Sequence, residues 1–232
     1  MPTKNIIVSG AAGNLGKAVV SQFLQQGWKV VGLVHHRSTT QEMHPKDYQE
    51  WEVDLLNANA TTQTVQAIIS QLGTIDAAVL TAGGFTMGTI ATTSLLDIQQ
   101  QLQLNFETAY NVAKPVFAQM QLQQSGTLFF IGSLAGMNTQ NGNGVTAYSL
   151  SKSLLFQLAN IIQAEAAGSA IKAHVVVPSI IDTPQNRAVM PDADFSQWET
   201  PLQIATVIAQ YANGNCTDTN SIIIIRDRLL RQ

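Results

Sequence analysis

Short runs of β-branched and other apolar residues recur along this chain at 6–8, 30–34, 77–80, 127–131, 173–177 and 221–225. Longer stretches with helical periodicity separate them at 15–26, 61–72, 95–123, 147–167 and 201–212. The short runs are apolar throughout instead of alternating, as in strands that meet protein on both faces. Strands of that kind, joined by helices, form parallel sheets, because each connection must carry the chain back to the edge where the previous strand began. Residues 48–53 supply a further strand. The pattern predicts an α/β fold: a doubly wound, mostly parallel seven-stranded sheet with helices on both faces, Rossmann-like, as a single domain over 1–232. Neither an internal repeat nor a low-complexity linker interrupts it, and Gln clusters at 99–101 and 121–124 solvate helix faces without charge.

A chain of 232 residues that is 45% hydrophobic can bury a sizeable core. Twelve Lys and Arg against 15 Asp and Glu, with no basic run, leave no electrostatic footprint for nucleic acid or an anionic membrane surface. The apolar run after Asn5 is about four residues long, too short for a signal-peptide core, and no segment approaches the roughly 18 apolar residues of a membrane span. A cytoplasmic location is expected. The single Cys216 excludes an intrachain disulfide framework and a Cys-rich zinc site, so no metal is expected.

After the first strand the chain reads Ser9-Gly10-Ala11-Ala12-Gly13-Asn14-Leu15-Gly16 and enters a helix. Glycines let the backbone turn sharply and approach a pyrophosphate, and the free N–H groups of a helix start favour its negative charge. The spacing, G-x-x-G-x-x-G, also suits a plain strand-to-helix turn. At the end of the second strand an acidic side chain would accept hydrogen bonds from a ribose 2′-OH and repel a 2′-phosphate. The chain instead reads Val34-His35-His36-Arg37 there, with no carboxylate. Arg37, with His36 beside it, can make a charge-assisted contact to a phosphate, which favours NADP(H) with NAD(H) as the alternative; a solvated basic loop is the other reading. Asp54, after the third strand, either hydrogen-bonds an adenine or simply ends the strand.

Tyr148 and Lys152 stand four residues apart and so project from one helical face. A phenol with an ordinary pKa near 10 exchanges protons poorly at neutral pH, and an adjacent ammonium lowers it. Ser133 follows a strand, and Asn105 sits within a long helical stretch; singly these also read as a turn serine and a helix-kinking asparagine. Together with the glycine loop, Asp54, Leu80-Thr81-Ala82-Gly83 and the segment from Pro178 through Ile181 to Thr183, they make the chain resemble the short-chain dehydrogenase/reductase superfamily over essentially its whole length. The resemblance implies that Tyr148 is the general acid, that Lys152 lowers its pKa and holds the nicotinamide ribose, and that Ser133 orients or polarises the substrate. It implies further that Asn105 supports a water-mediated proton path to Lys152 and that Thr183 contacts the nicotinamide carboxamide. Leu80-Thr81 replaces the family's usual Asn-Asn, which weakens the expected brace beneath the cofactor.

A narrower resemblance lies in Asp182-Thr183-Pro184-Gln185-Asn186-Arg187, Met190-Pro191-Asp192-Ala193-Asp194-Phe195-Ser196 and Trp198, in Ala82-Gly83-Gly84 and in Trp28 at the entry to strand two. These are similar to the quinonoid dihydropteridine reductases. The resemblance implies reduction of a quinonoid dihydropterin, with Gly84, Phe85, Arg187, Met190, Phe195 and Trp198 around the substrate. Met190, Phe195 and Trp198 either form an apolar lid over a flat ring or pack an ordered loop onto the core. The pterin reductases have an aspartate where Val34 stands and alanine where Ser133 stands, so reduction of a ketone or aldehyde is the second expectation, and a non-catalytic nicotinamide-binding regulator a third. Residues 179–200 are expected to form a mobile substrate loop. Apolar residues over a wide arc of 147–167, including Leu154, Leu155, Phe156, Leu158 and Ile161, predict a helix-mediated homodimer acting on a small molecule.

Overall fold

A computed structural model of the protein describes residues 3–36, 45–216 and 221–226. Seven strands, β1 (Asn5–Ser9), β2 (Lys29–Val34), β3 (Tyr48–Glu52), β4 (Ala77–Leu80), β5 (Ser125–Ile131), β6 (Ala170–Val177) and β7 (Ile222–Ile224), form one sheet in the order β3-β2-β1-β4-β5-β6-β7. Every neighbouring pair is parallel. The strands lie where the apolar runs predict them, and the doubly wound expectation holds.

Alternate residues of each strand serve two cores. Ile6 and Val8 of β1 face a layer built with Leu15, Val19 and Phe23 of α1 (Asn14–Gln25) and Ile204, Val207 and Ile208 of α8 (Pro201–Ala212). Ile7 faces the opposite layer, with Val65 and Ile68 of α2 (Ala58–Leu72), Val112 and Val116 of α4 (Thr108–Gln123), and Leu155, Ala159 and Ile162 of α6 (Thr146–Glu165). Both faces of the central strands are thereby removed from water, which explains why their sequences do not alternate. β3 is the exception: at the sheet edge it reads Tyr-Gln-Glu-Trp-Glu and remains partly exposed. No helix among the described residues is long and apolar enough to cross a membrane.

The predicted helix over 95–123 is interrupted. It divides into α3 (Leu95–Leu102), a π-helical turn (Gln103–Glu107) and α4. The turn inserts one extra residue into the ladder, which leaves hydrophobic periodicity almost unchanged and is therefore invisible to it. Two short helices also escape periodicity, α5 (Leu134–Met137) and α7 (Pro184–Val189), being too short to show a stripe. Each is announced by its cap: the Ser133 hydroxyl accepts from the Gly136 N–H, and the Thr183 hydroxyl accepts from the Asn186 N–H.

β1 pairs with β2 on one side and with β4 on the other, so the two connections leave in opposite directions and a crevice opens beyond the carboxyl ends of these strands.

Candidate active site

Gly10 leaves β1 with φ of +66°, in the left-handed region, and a Cβ there would lie 2.9 Å from the Ala82 nitrogen. A Cβ on Gly16 would collide with the Gly10 carbonyl. The loop thus folds back on its own helix, with Gly13 N–H donating to the Gly10 oxygen at 2.9 Å. α2, α3, α5, α7 and α8 each have a side-chain cap at the N-terminus, whereas α1, which follows Gly13, has none, as is also true of α4 and α6. Ala12, Gly13 and Asn14 are exposed, and Leu15 anchors the turn in the core. Uncapped amides on an exposed glycine turn fit the diphosphate of a dinucleotide.

The expected weakness at Thr81 is corrected by the geometry. Its hydroxyl donates to the Ser9 carbonyl at 2.7 Å and so ties the start of the glycine loop to β4, as a brace must. At the end of β2, Val34 is buried and the rings of His35 and His36 meet Nδ1 to Nε2 at 2.9 Å. The expectation that no carboxylate reaches this point also needs correction: the parallel register sets Glu52 beside Val34, and its carboxylate lies 3.6 Å from His36 Nδ1. A neighbour contributed by β3 cannot be read from the sequence of β2. Arg37 lies outside the described residues. Asp54 accepts from the Leu56 N–H at 3.0 Å, so its side chain shapes the turn into α2.

Beyond β4 and β5 lies the polar centre. Tyr148 and Lys152 occupy successive turns at the start of α6, with the Lys152 ammonium 5.8 Å from the Tyr148 ring centroid. Lys152 is buried and donates to the Ile131 carbonyl at 2.8 Å; burial lowers its pKa from 10.5 to about 8. Burial raises the Tyr148 phenol above its ordinary value, while a hydrogen bond with the Ser133 side chain pulls the other way. α5 brings Ser133 there because Gly136 lets it lie against Lys152, where a Cβ would fall 2.7 Å from the Lys152 Cβ, and because the Ser149 hydroxyl donates to the Ala135 carbonyl at 2.6 Å. Phe85 meets the Tyr148 ring edge to face at 5.0 Å. Its segment is held by the Gly88 N–H donating to the Gly144 oxygen and the Thr146 N–H donating to the Gly88 oxygen, both at 2.8 Å.

Asn105 is buried inside the π-turn. Its amide donates to the Gly84 carbonyl at 3.0 Å, Gln101 Oε1 at 3.0 Å and Ser151 Oγ at 3.1 Å, and its own oxygen accepts from the Gly84 N–H at 3.0 Å. Gly83 fills the gap between Asn105 and Lys152: a Cβ there would sit 2.6 Å from Asn105 Oδ1 and 3.3 Å from Lys152 Nζ. Ala82 and Gly83 thus carry the backbone past the centre at close range. Gln101 and Ser151 were not singled out by sequence, since glutamine and serine are common and only burial distinguishes these two.

The 179–200 segment starts beside this centre, because β6 runs next to β5 and the Gly132 N–H donates to the Val176 oxygen. Buried Pro178 ends the strand, and Ile181 bridges to Glu199. Glu199, also missed by sequence, is buried and accepts from both Ser179 N–H and Ser179 Oγ, at 2.8 and 2.5 Å. Arg187 donates through Nε and Nη2 to Asp182 at 2.6 and 2.7 Å, and its guanidinium lies 4.6 Å from the Phe195 ring centroid. Phe195 packs on Trp198 at 4.8 Å, and Trp198 is buried. Of the two readings of Trp198, the packed anchor is the one its burial supports. Met190 is partly buried, and its N–H donates to the Asn186 carbonyl at 3.0 Å. Asn14 donates to Gln185 at 2.7 Å, joining the start of α1 to α7.

Known proteins resemble this chain over most of its length. The chain is 30% identical over 218 residues to acetoacetyl-CoA reductase of Acinetobacter sp. (strain RA3849), covering 90% of this chain and 87% of that one. It is 25% identical over 229 residues to dihydropteridine reductase of Dictyostelium discoideum, covering 96% and 94%. The solved structure described as ElxO with NADP bound superposes with a TM-score of 0.87 at 20% identity, over 97% of each chain. The family described as short chain dehydrogenase matches residues 4–194. The chain belongs to the short-chain dehydrogenases and is an oxidoreductase that uses a nicotinamide cofactor.

Proposed function

We propose that this enzyme reduces a quinonoid dihydropterin to the tetrahydropterin, with NADP(H) favoured and NAD(H) the alternative. The observation that carries the reading is Phe85, more than half exposed, standing edge-on to the Tyr148 ring: a flat aromatic wall beside the proton donor. Similarity to the Dictyostelium dihydropteridine reductase over nearly the whole chain supports it. The cofactor, when bound, supplies a hydride. Gly10 to Gly16 and the amides of α1 hold its diphosphate, Pro178, Ile181 and Thr183 line its nicotinamide end, and Lys152 holds the ribose. The NADP in the ElxO structure supports the 2′-phosphate, with His36 at that end, and Glu52, 3.6 Å from His36, is the group that would favour NAD(H). Tyr148 Oη delivers the proton, with Asn105 and Lys152 behind it to restore it. Gly84 and Met190 flank the substrate.

Ser133 favours a second reading, reduction of a ketone or aldehyde, because its hydroxyl beside the phenol suits polarising a carbonyl. The experiment is NADPH oxidation with freshly generated quinonoid dihydropterin against a panel of neutral ketones and aldehydes. A kcat/KM for the pterin at least about tenfold above the best carbonyl is expected; the reverse order would establish the second reading. Tyr148→Phe should retain cofactor affinity and lose at least about 100-fold in kcat, and near-wild-type turnover would remove Tyr148 from the chemistry.

The same reading extends to assembly as a homodimer. A groove of about 460 Å³ between α4 and α6 is lined by Phe106, Tyr110, Phe117, Leu154, Leu158 and Ile161, and by none of the candidate site residues. Lys114 and Glu165 stand in the same groove, an opposite pair suited to a two-fold contact.

A further inference from the structure

We infer that this site selects uncharged, flat substrates and rejects those that carry a carboxylate, sulfonate or phosphate. The inference rests on Tyr148 marking the substrate position, as proposed above. Two segments, 81–96 and 132–151, meet at that position through the Phe85–Tyr148 contact, and a third, 179–200, follows β6, the strand beside β5. The first two carry no charged residue at all. Phe85, against the Tyr148 ring, and Met87 are exposed on the first, and Met137 is exposed on the second, followed by the uncharged polar Asn138, Thr139 and Gln140. The third carries four carboxylates, Asp182, Asp192, Asp194 and Glu199, against a single guanidinium, Arg187.

That guanidinium is already engaged. Nε and Nη2 both donate to Asp182, and the plane lies over Phe195. Arg187 in turn holds the Asp182 carboxyl below its ordinary range, so the pair stays ionised at neutral pH. Two other cations stand nearby: Lys152 is buried and donates to the Ile131 carbonyl, and Arg226, from outside the three segments, donates to Gln197 Oε1 at 3.0 Å. Among the described residues these segments therefore present no unengaged cation to a substrate anion, and their net charge is negative. An anionic group entering would lose its hydration beside carboxylates with nothing to replace it, which costs at least about tenfold in affinity. A neutral conjugated ring meets Phe85 instead. Coenzyme A thioesters and carrier-bound acyl groups, with their phosphates, fall in the rejected class.

The test uses isatin and isatin-5-sulfonate, one planar diketone without and with a fixed negative charge. Their affinities are measured by calorimetry on the Tyr148→Phe protein saturated with NADPH, which holds the cofactor and does not consume the ligand. Isatin should bind at least about tenfold more tightly than its sulfonate. Asp182→Asn frees the Arg187 guanidinium and should narrow that gap at least about threefold while isatin affinity stays within about twofold. Equal or tighter binding of the sulfonate, binding of neither ligand, or a gap unmoved by Asp182→Asn would overturn the inference. Failure of the pterin reading is registered separately, as no NADPH oxidation with quinonoid dihydropterin by the unaltered enzyme, and leaves the ratio of the two affinities readable.

Discussion

Lys152 holds an ammonium where solvent scarcely reaches, and burial alone brings its pKa from 10.5 down to about 8. Between those two values the folded protein binds fewer protons than the unfolded chain, so stability rises with pH across that window. Below about 8 the buried charge is fully present and costs stability. Lys152→Met, similar in shape and without charge, should therefore raise stability at pH 7 by about 2 kcal/mol, a Tm gain of about 4 °C, while abolishing most turnover. The gain should shrink towards zero by about pH 10; thermal melts at pH 7 and pH 10 check it, and a lower Tm at pH 7 would contradict it. Tyr148 and Lys152 were legible in sequence because one helix fixes their separation. Gln101, Ser151 and Glu52 were not, because nothing in their own surroundings distinguishes them until another element is folded against them.

The 179–200 segment shows how an irregular stretch is given a definite course. Its two ends are joined side by side, with Asp182 N–H donating to the Glu199 carbonyl at 2.8 Å and Glu199 N–H to the Ile180 carbonyl at 3.0 Å. The buried Glu199 side chain then fixes Ser179 from within. Removing it leaves two donors of Ser179 unsatisfied, at about 1–3 kcal/mol. Glu199→Ala should thus leave the sheet intact, make the segment more sensitive to limited proteolysis and raise substrate KM by about tenfold, with kcat less affected. An unchanged proteolysis pattern would show that the backbone bridge suffices. Through the resemblance over Asp182 to Trp198 this stretch was visible as a unit, although Thr183 was read as a nicotinamide contact and not as the cap of α7. The clamp was not, since a glutamate before a capped helix reads as solvated. The π-turn was foreshadowed only by the reading of Asn105 as a helix-kinking asparagine, and not by periodicity, since it changes the ladder and not the apolar stripe.

Across the molecule, the order and direction of the strands were legible because parallel strands buried on both faces leave so plain a mark. What lies on the outer surface of α4 and α6 was legible only as an excess of apolar residues. Ile161 lines the groove there and is 44% exposed, so Ile161→Glu should leave the two cores undisturbed. By light scattering at micromolar concentration the unaltered protein is expected to be a dimer and the variant a monomer; a monomeric unaltered protein would remove the dimer. The placement of β1 has one more effect. This wholly buried strand needs neighbours on both edges, yet β4, its partner through Ile6 and Ala77, is synthesised about seventy residues later. Until then one edge of Asn-Ile-Ile-Val-Ser offers unpaired amides and carbonyls to any passing strand, including the same strand of another nascent chain. The edge of β1 that β4 covers in the finished enzyme is, during synthesis, open to misassembly.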